Sequence, residues 1–269
     1  MSKKKVVFKT YFLFRVERNN LSVMVDIHAH ILPDLDDGSS SLEESLRMAR
    51  IAVESGIYHM AATSHGNLYP YLQEEYREAL GLLQREIDRR GISLKLYPGM
   101  ELFADENIFR RLEKGQLLTL NDTDYILIEF DFQEDTSNVI KRIQRLFDMR
   151  YRIILAHPER YWFIQEDLEL ACYLEELGCV LQVNCGSLTG DFGRECQHVA
   201  GFMLRNGLVG VLATDSHDSV HRSPDIGTLT RMLRTQIGPA ASKLLLSENP
   251  SRILKGYDIL RQEYEEKEE

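Results

Sequence analysis

Short runs of apolar residues recur along this chain and alternate with longer amphipathic stretches. The runs are nearly continuous instead of alternating strictly with polar residues, which is typical of parallel strands buried on both faces. We predict seven strands, at 23–27, 58–63, 94–99, 125–130, 152–157, 179–184 and 208–214. The stretches between them carry apolar residues at helical spacing and predict helices that cover the sheet.

The first helical stretch begins and ends with residues that favour helix termini. Ser41 and Glu44 have the spacing of a capping box, and Gly56 stands where a C-terminal glycine is expected. The second stretch repeats the plan and ends at Gly91. Seven β-then-α units predict an α/β fold closed into a (β/α) barrel; an open, doubly wound sheet is the alternative.

The composition excludes several classes of protein. The chain has 269 residues, 43% of them hydrophobic, with 32 Lys and Arg against 42 Asp and Glu and a net charge of −10. Such a charge argues against a broad nucleic-acid or membrane surface, because phosphate groups attract clustered cations. No apolar run is long enough for a membrane span, so we expect no membrane insertion. A small phosphorylated group held by one or two arginines remains compatible with this charge.

The cysteines favour a reducing compartment. None belongs to a C-x-x-C pair, and they are too few for a disulfide framework. They stand at Cys172, Cys179, Cys185 and Cys196. We therefore expect a cytoplasmic protein.

The two ends of the chain differ from its middle. Residues 1–23 combine a basic start with a short apolar run that Lys9 and Arg15 interrupt, and no small-residue cleavage site follows. A signal peptide is therefore the less favoured interpretation, and we assign this segment as an extension of uncertain structure. Residues 24–258 form one predicted barrel domain, and 259–269 a charged tail.

Histidines and carboxylates stand at the ends of six of the seven predicted strands. In a (β/α) barrel the C-terminal ends of the strands meet at one end of the barrel, called the rim below. Each residue alone is compatible with a loop or core position, but their convergence on one rim predicts a metal site. The candidate ligands are His28, His30, Asp37, His65, Glu101, Glu129, His157, Asp215 and His217.

The ligand types indicate the kind of metal. Imidazole and carboxylate without thiolate suit manganese, iron(II) or zinc in an open catalytic site, in contrast to a cysteine-rich structural zinc. Nine candidates are too many for one ion, so we expect two or three ions with a bridging carboxylate. Paired metals of this kind bind phosphoryl oxygens and acidify a water molecule.

Two arginines lie in loops on the same rim. Arg160 follows His157 by three residues and Arg222 follows His217 by five. Arginine binds phosphate with two parallel hydrogen bonds, so we predict that both hold a substrate phosphate; ordinary surface arginines are the alternative. Four aromatic residues of rim loops are candidates either for a wall around an aromatic substrate or for packing: Tyr69, Tyr71, Tyr161 and Trp162.

These motifs resemble a known family. His28-x-His30, His65, His157 and Asp215-x-His217 are similar to the four motifs of the polymerase and histidinol phosphatase (PHP) family. The segments "DIHAHILPDLDDG", "ATSHGN", "GMELFADEN", "AHPERY", "QVNCGSLTG-DFG" and "ATDSHD" resemble the CpsB/YwqE type of bacterial manganese-dependent tyrosine-protein phosphatases within it. The resemblance covers about residues 24–256 and implies a distorted (β/α)7 barrel with three metal ions.

The resemblance also implies roles for the residues. One ion would take His28, His30, Glu101 and Asp215, a second Glu101, Glu129 and His157, and a third Asp37, His65 and His217. Arg160 and Arg222 match the positions that hold phosphate. The implied substrate is phosphotyrosine on a bacterial tyrosine kinase that controls capsule or exopolysaccharide synthesis. An oligomer is compatible with these features.

The sequence departs from the family pattern at several places. The usual "TPHH" is here "TSHG", so that Ser64 replaces proline and Gly66 replaces the second histidine. The usual "NAG" is "NCG", which brings Cys185 near the rim. Residues 1–23 have no counterpart. We expect the second rim loop to differ in shape from the family pattern, but none of these departures removes a predicted ligand.

The same residues bear on four other functions. A cysteine phosphatase needs Cys-x5-Arg, and the residues six positions after the cysteines are Gly178, Cys185, Asp191 and Phe202, which excludes that mechanism. An amidohydrolase usually needs a lysine or carboxylate bridge at the fourth strand, where Glu129 stands, but the arginines favour phosphate. A small-molecule phosphatase of the same family, for histidinol phosphate or a sugar phosphate, stays open. A non-catalytic module that binds phosphotyrosine or metal is the least favoured.

Overall fold

Eight parallel strands form two sheets within residues 23–261, the part of the chain that the computed structural model describes. One sheet has the order β1-β2-β3 and the other β4-β5-β6-β7-β8, so that within each sheet every strand pairs with its neighbours in the chain. Their bounds are β1 Met24–Ala29, β2 Ile57–Ala62, β3 Lys95–Pro98, β4 Glu101–Phe103, β5 Tyr125–Glu129, β6 Arg152–Ala156, β7 Val180–Asn184 and β8 Val209–Ala213. This order is that of a (β/α) barrel.

Two single bridges join the sheets close to the rim. Ala29 pairs with Ser216, next to a hydrogen bond of 2.8 Å from His30 N to the Ser216 carbonyl. On the other side His65 pairs with Glu101. The ring of strands is therefore a distorted barrel, and candidate ligands lie at both joins.

Helices cover the outer face of the strands. They are α1 Leu42–Glu54, α2 Gln73–Arg89, α3 Ile108–Glu113, α4 Thr136–Asp148, α5 Trp162–Glu166, α6 Glu169–Glu176, α7 Cys185–Thr189, α8 Arg194–Arg205, α9 Gly227–Gln236, α10 Gly238–Lys243 and α11 Asn249–Ile253. Tighter 3₁₀ turns occupy Leu120–Asp122 and Pro158–Arg160, and a wider π turn occupies Leu244–Glu248.

The predicted capping box of α1 is only half formed. Ser41 Oγ accepts from Glu44 N at 3.2 Å, as expected of an N-cap. The Glu44 carboxylate does not return to the cap; it accepts from Ser219 N at 2.6 Å and so ties α1 to the loop after β8. The other end is as predicted, because Gly56 has φ +95°, a conformation that favours glycine.

Alternate residues of the strands belong to two separate cores. Ile27, Leu127 and Val211 pack with one another inside the ring, where Ile253 and Leu254 also contribute. The intervening strand residues pack outward against the helices. This alternation is a consequence of the two-residue period of a strand.

Two of the seven predicted strands differ from the observed ones by more than a shift of one residue at their ends. The third predicted strand is interrupted after Pro98 and resumes at Glu101, so Glu101 begins β4. At the interruption, a side chain on Gly99 would lie 2.6 Å from that of Leu120. The first strand runs on to Ala29, and His28 therefore lies within it.

The predicted terminal segments lie largely outside the described residues. Only Val23 and residues 259–261 of the extension at 1–23 and the tail at 259–269 are described. Leu260 exchanges two backbone hydrogen bonds with the Asn249 side chain, at 2.8 and 2.9 Å. Among residues 23–261, no helix combines the length and apolar character needed to cross a membrane.

We expect Leu127→Ala to lower the free energy of unfolding by about 2–5 kcal/mol, because it opens a cavity inside the ring of strands. Leu127 is fully buried, whereas Leu82 on α2 is 41% exposed. Leu82→Ala should therefore change the free energy by about 0.5 kcal/mol or less. Denaturant titration of both variants, followed by circular dichroism, measures the difference, and equal losses would contradict the assignment of the inner core.

Candidate metal centre

Glu101 lies at the centre of the predicted ligands. Its Oε1 is 3.3 Å from His28 Nε2 and 3.1 Å from His157 Nε2. Its Oε2 is 3.2 Å from His30 Nε2 and 3.2 Å from His65 Nδ1. A carboxylate between four imidazoles from different parts of the rim has the placement of a bridging ligand.

All nine predicted ligands gather around this carboxylate. In four sets, the candidate ligand atoms lie within 4.8 Å of one another: His30, Asp37, His65 and His217; His28, Glu101 and His157; His28, His30 and Asp215; and His65, Glu101 and Glu129. The first and third ions implied by the resemblance each find three of their ligands in one set. The ligands of the second are divided, because His157 and Glu129 share Glu101 but fall in different sets.

The histidine pair of β1 presents lone pairs to the centre. His28 Nδ1 lies 2.8 Å from Gln182 Oε1, and His30 Nδ1 lies 2.8 Å from Asp36 Oδ2. Since both partners are acceptors, each ring carries a proton on Nδ1, so Nε2 is the atom that it offers to a metal ion. The two Nε2 atoms are 3.3 Å apart and face the oxygens of Glu101.

This arrangement fits metal ions. With Nε2 unprotonated, as metal binding requires, the histidine nitrogens and the oxygens of Glu101 and Asp215 face one another as acceptors at 3.2–3.6 Å. His65 Nδ1 is also buried without a hydrogen-bond partner among the described residues. Burial of mutually repelling lone pairs is costly unless a cation compensates them, and the donor set of nitrogen and oxygen suits manganese, iron or zinc.

The pKa values express the same excess of negative charge. Burial, and then the charges of Glu101 and Asp215, raise the pKa of Glu129 to about 8. Burial would lower the pKa of His28, but the same two carboxylates raise it to about 9. Protons are therefore drawn into the cluster when no cation is bound. Three histidines differ, because burial lowers the pKa of His65, His157 and His217. Burial and the His30 charge lower the pKa of His217 to about 2 and keep it neutral.

Two ligand positions have unusual backbone conformations. His157 has φ +34° and Asp215 has φ +52°, both in the left-handed region that residues with a side chain rarely adopt. His157 follows β6 directly and Asp215 lies two residues after the end of β8, so the turn directs each side chain across the rim. Such strain costs about 1–3 kcal/mol and concentrates at functional sites.

The one predicted strand that does not end in a histidine or carboxylate is β7, and it contributes two side-chain amides. Gln182 on β7 receives the His28 proton and donates to Asn184 Oδ1 at 2.8 Å. Asn184 Nδ2 donates to Asp215 Oδ2 at 2.7 Å. This series of hydrogen bonds orients two predicted ligands, His28 and Asp215. Asn184 stands at the end of the predicted strand 179–184, but nothing in the sequence distinguishes Gln182 from a core residue.

Asp36 is not among the predicted ligands, but it supports two of them. Its Oδ2 accepts from His30 Nδ1 at 2.8 Å and from His65 N at 2.9 Å. Burial would raise its pKa, but the hydrogen bond and charge of His30 hold that pKa well below its usual range. Asp36 therefore fixes the ring of one ligand and the backbone of another.

The two arginines lie at the mouth of the cluster. Arg222 Nη2 is 2.6 Å from Asp215 Oδ2, and Arg160 Nη1 is 3.4 Å from the same oxygen. Their side chains are 28% and 22% exposed, so both remain accessible from solvent. Asp215 thus turns one oxygen to the histidines and the other to the arginines.

The four rim aromatics divide between packing and exposure. Tyr161 is fully buried, with its hydroxyl accepting from Phe130 N at 3.1 Å, so it cannot line an open wall. Tyr71 donates to the His65 carbonyl at 2.6 Å and braces that loop. Trp162 is 54% exposed and remains available to a substrate.

The departures from the family pattern have structural counterparts. A side chain on Gly66 would lie 2.9 Å from both Met100 Sδ and Leu102 Cδ2, so the absence of one allows close packing of the second rim loop. Cys185 begins α7 and is buried, and burial raises the pKa of its thiol well above the usual range. It is therefore a packed thiol and no nucleophile.

Comparison with known proteins identifies the family. The model of the family described as "Capsular polysaccharide synthesis, CpsB/CapC" matches residues 24–255. The chain belongs to the CpsB/CapC family. A curated relative, the tyrosine-protein phosphatase YwqE of Bacillus subtilis (strain 168), is 36% identical over 245 residues, which cover 89% of this chain and 94% of the relative.

Solved structures agree with this assignment. A crystal structure from work on YwqE of Bacillus subtilis and CpsB of Streptococcus pneumoniae, described as metal-dependent tyrosine phosphatases, superposes with a TM-score of 0.84 at 34% identity. It covers 89% of this chain and 97% of that one. The phosphotriesterase homology protein of Escherichia coli, at 12% identity and a TM-score of 0.61, covers 88% of this chain and all of its own and shares the barrel fold. The predicted distorted (β/α)7 barrel is confirmed.

We expect Asp36→Asn to weaken manganese binding by about 10- to 100-fold, because groups that orient metal-binding histidines affect affinity to this extent. Asp34→Asn is the matched control: Asp34 is exposed in the same loop, and asparagine tolerates its φ of +57°. Titration calorimetry with manganese on metal-stripped protein measures both. Equal affinities in the two variants would refute the role of Asp36.

Proposed function

We propose that this chain hydrolyses phosphotyrosine in proteins as a metal-dependent tyrosine-protein phosphatase. The single observation that carries the proposal is a buried cluster of acceptors with two accessible arginines at its mouth. Cations and arginines together complement a phosphate dianion. The tyrosine phosphatases among the relatives support the aromatic substrate.

The metal ligands are proposed as the nine residues of the sequence analysis. They are His28, His30, Asp37, His65, Glu101, Glu129, His157, Asp215 and His217. We propose manganese as the native metal, in two or three ions, although iron and zinc accept the same donors. Bound there, the metal supplies positive charge against the phosphoryl oxygens and acidifies water for attack.

The protein groups bind and orient the phosphate. Arg160 and Arg222 can each donate two hydrogen bonds to its oxygens, and their ion pairs with Asp215 keep both guanidinium groups beside the cluster. Their charge also stabilises the oxygens as the bond to phosphorus breaks. Tyrosinate, with a pKa near ~10, is a fair leaving group.

The biological setting is proposed from the family and the thiols. The substrate would be a tyrosine-phosphorylated protein, and a bacterial tyrosine kinase that controls capsule or exopolysaccharide synthesis fits the family description. All four cysteines are free, which fits a cytoplasmic location. We assign residues 24–258 to a single catalytic domain.

Removal of metal should abolish the activity. Treatment with a chelator should lower the rate of hydrolysis of a phosphotyrosine peptide by about 100-fold or more, and manganese should restore it. The reason is that the charge of the metal lowers the activation barrier by several kcal/mol. Release of inorganic phosphate measures the rate, with metal content followed in parallel.

Two further substrates, measured in the same way, test the substrate specificity of the protein. A phosphoserine peptide and histidinol phosphate should show lower kcat/KM than the phosphotyrosine peptide. Full activity of the metal-free protein would overturn the mechanism. A preference for histidinol phosphate would overturn the substrate and leave the metal centre intact.

Arg160→Ala should lower kcat/KM for the phosphotyrosine peptide by about 10- to 100-fold without loss of bound metal, because one charged hydrogen-bonding partner of phosphate is removed. Arg77→Ala is the control, since Arg77 is exposed on α2. Steady-state kinetics and metal analysis measure both variants. Unchanged kinetics for Arg160→Ala would remove this arginine from the site.

A further inference from the structure

Phe192 is an aromatic residue at the mouth of the metal centre whose role the proposed function leaves open. It lies in the loop between α7 and α8. The Arg160 Cζ atom is 5.1 Å from the centre of its ring, and the Arg222 Cζ atom is 5.6 Å from it. Both distances lie within the range in which a guanidinium group is attracted to a ring face. One ring therefore contacts both of the arginines assigned to phosphate.

Arg160 has a second aromatic neighbour. The ring of Phe132 lies 4.5 Å from the Arg160 Cζ atom, so this guanidinium group contacts two phenylalanine rings. A free arginine side chain has about 2 kcal/mol of rotamer entropy to lose when it is fixed. The two rings restrict that freedom before a ligand arrives.

The two arginines also need a partner against their mutual repulsion. Both approach Asp215 Oδ2, which is a single oxygen that also accepts from Asn184. The negative face of the Phe192 ring adds an attraction for both cations without adding a charge that would compete for metal or repel phosphate. An acidic residue in its place would do both.

The position of Phe192 is set by the α7 backbone. A side chain on Gly186 would lie 2.8 Å from Phe192 Cε2, so the ring packs directly against the glycine. Gly190 and Gly193, with φ +97° and +90°, turn the chain on either side of it. The ring is half-buried, and its packing against Gly186 restricts its position.

We propose that Phe192 is a positioning residue for phosphate: its ring holds Arg160 and Arg222 together beside Asp215, in the arrangement that receives the phosphoryl oxygens. The inference rests on the proposed function of this site. It predicts that the ring contributes to ligand binding through the arginines and leaves the metal ligands unaffected.

Three variants test the proposal: Phe192→Leu, which keeps apolar volume but removes the ring, Phe192→Tyr, which keeps the ring, and Phe202→Leu, the control. Phe202 is a half-buried phenylalanine of α8 that packs against the outer core. The readouts are the dissociation constant of inorganic phosphate by calorimetry on manganese-loaded protein, KM and kcat for a phosphotyrosine peptide, and metal content.

Phe192→Leu should raise the phosphate dissociation constant and KM about three- to tenfold, with kcat within about twofold and full metal content. Phe192→Tyr and Phe202→Leu should stay within about twofold of the parent protein. In a background that carries Arg160→Ala and Arg222→Ala, Phe192→Leu should cause no further loss of phosphate binding.

Unchanged phosphate binding in Phe192→Leu would overturn the proposal. So would an equal loss in Phe202→Leu, loss of metal from Phe192→Leu, or a loss that persists without the arginines, since each indicates a merely structural role. Phosphate binding is measured without turnover. A failure of phosphotyrosine hydrolysis in the parent protein would therefore refute the proposed function while leaving the Phe192 test readable.

Discussion

The burial of several negative charges in one place is the constraint on which this barrel depends. Glu101 is almost wholly inaccessible and lies within 3.3 Å of four imidazole nitrogens, with Asp215 and Glu129 nearby. No packing of apolar residues compensates such a group; only protons or cations do. Metal binding and folding are therefore linked, because an ion that binds only the assembled rim stabilises the state in which distant strands have met.

Asp215 extends this constraint from the metal cluster to the substrate. Its Oδ1 faces His28 and His30, whereas its Oδ2 accepts from Arg222 and Asn184. One carboxylate thus sets the distance between the expected cations and the groups that bind phosphate. Its left-handed backbone makes this double orientation possible at the end of a strand. Metal ions and phosphate are consequently recognised by a connected arrangement.

The sequence predicted the fold and the candidate ligands for the same physical reason. Parallel strands of a barrel end on one rim, so residues at strand ends converge whatever the details of the loops. Residues that orient the predicted metal ligands follow no such rule. Asp36 reaches His30 through a loop in which Asp34 has φ +57°, a conformation that the sequence does not reveal, and Gln182 has the pattern of any buried strand residue. The break between Pro98 and Glu101 was missed because apolar spacing does not report a gap in pairing.

A phosphatase without a reactive thiol depends on the placement of charge. Cys185 lies close to the rim, yet its burial keeps it a thiol, so the protein offers no covalent route there. Catalysis then rests on how accurately cations and guanidinium groups are fixed before the substrate binds. That requirement explains why uncharged groups surround the charged ones: Gln182 and Asn184 behind the ligands, and aromatic rings beside the arginines. Each of these groups restrains a charged side chain without changing the net charge of the site.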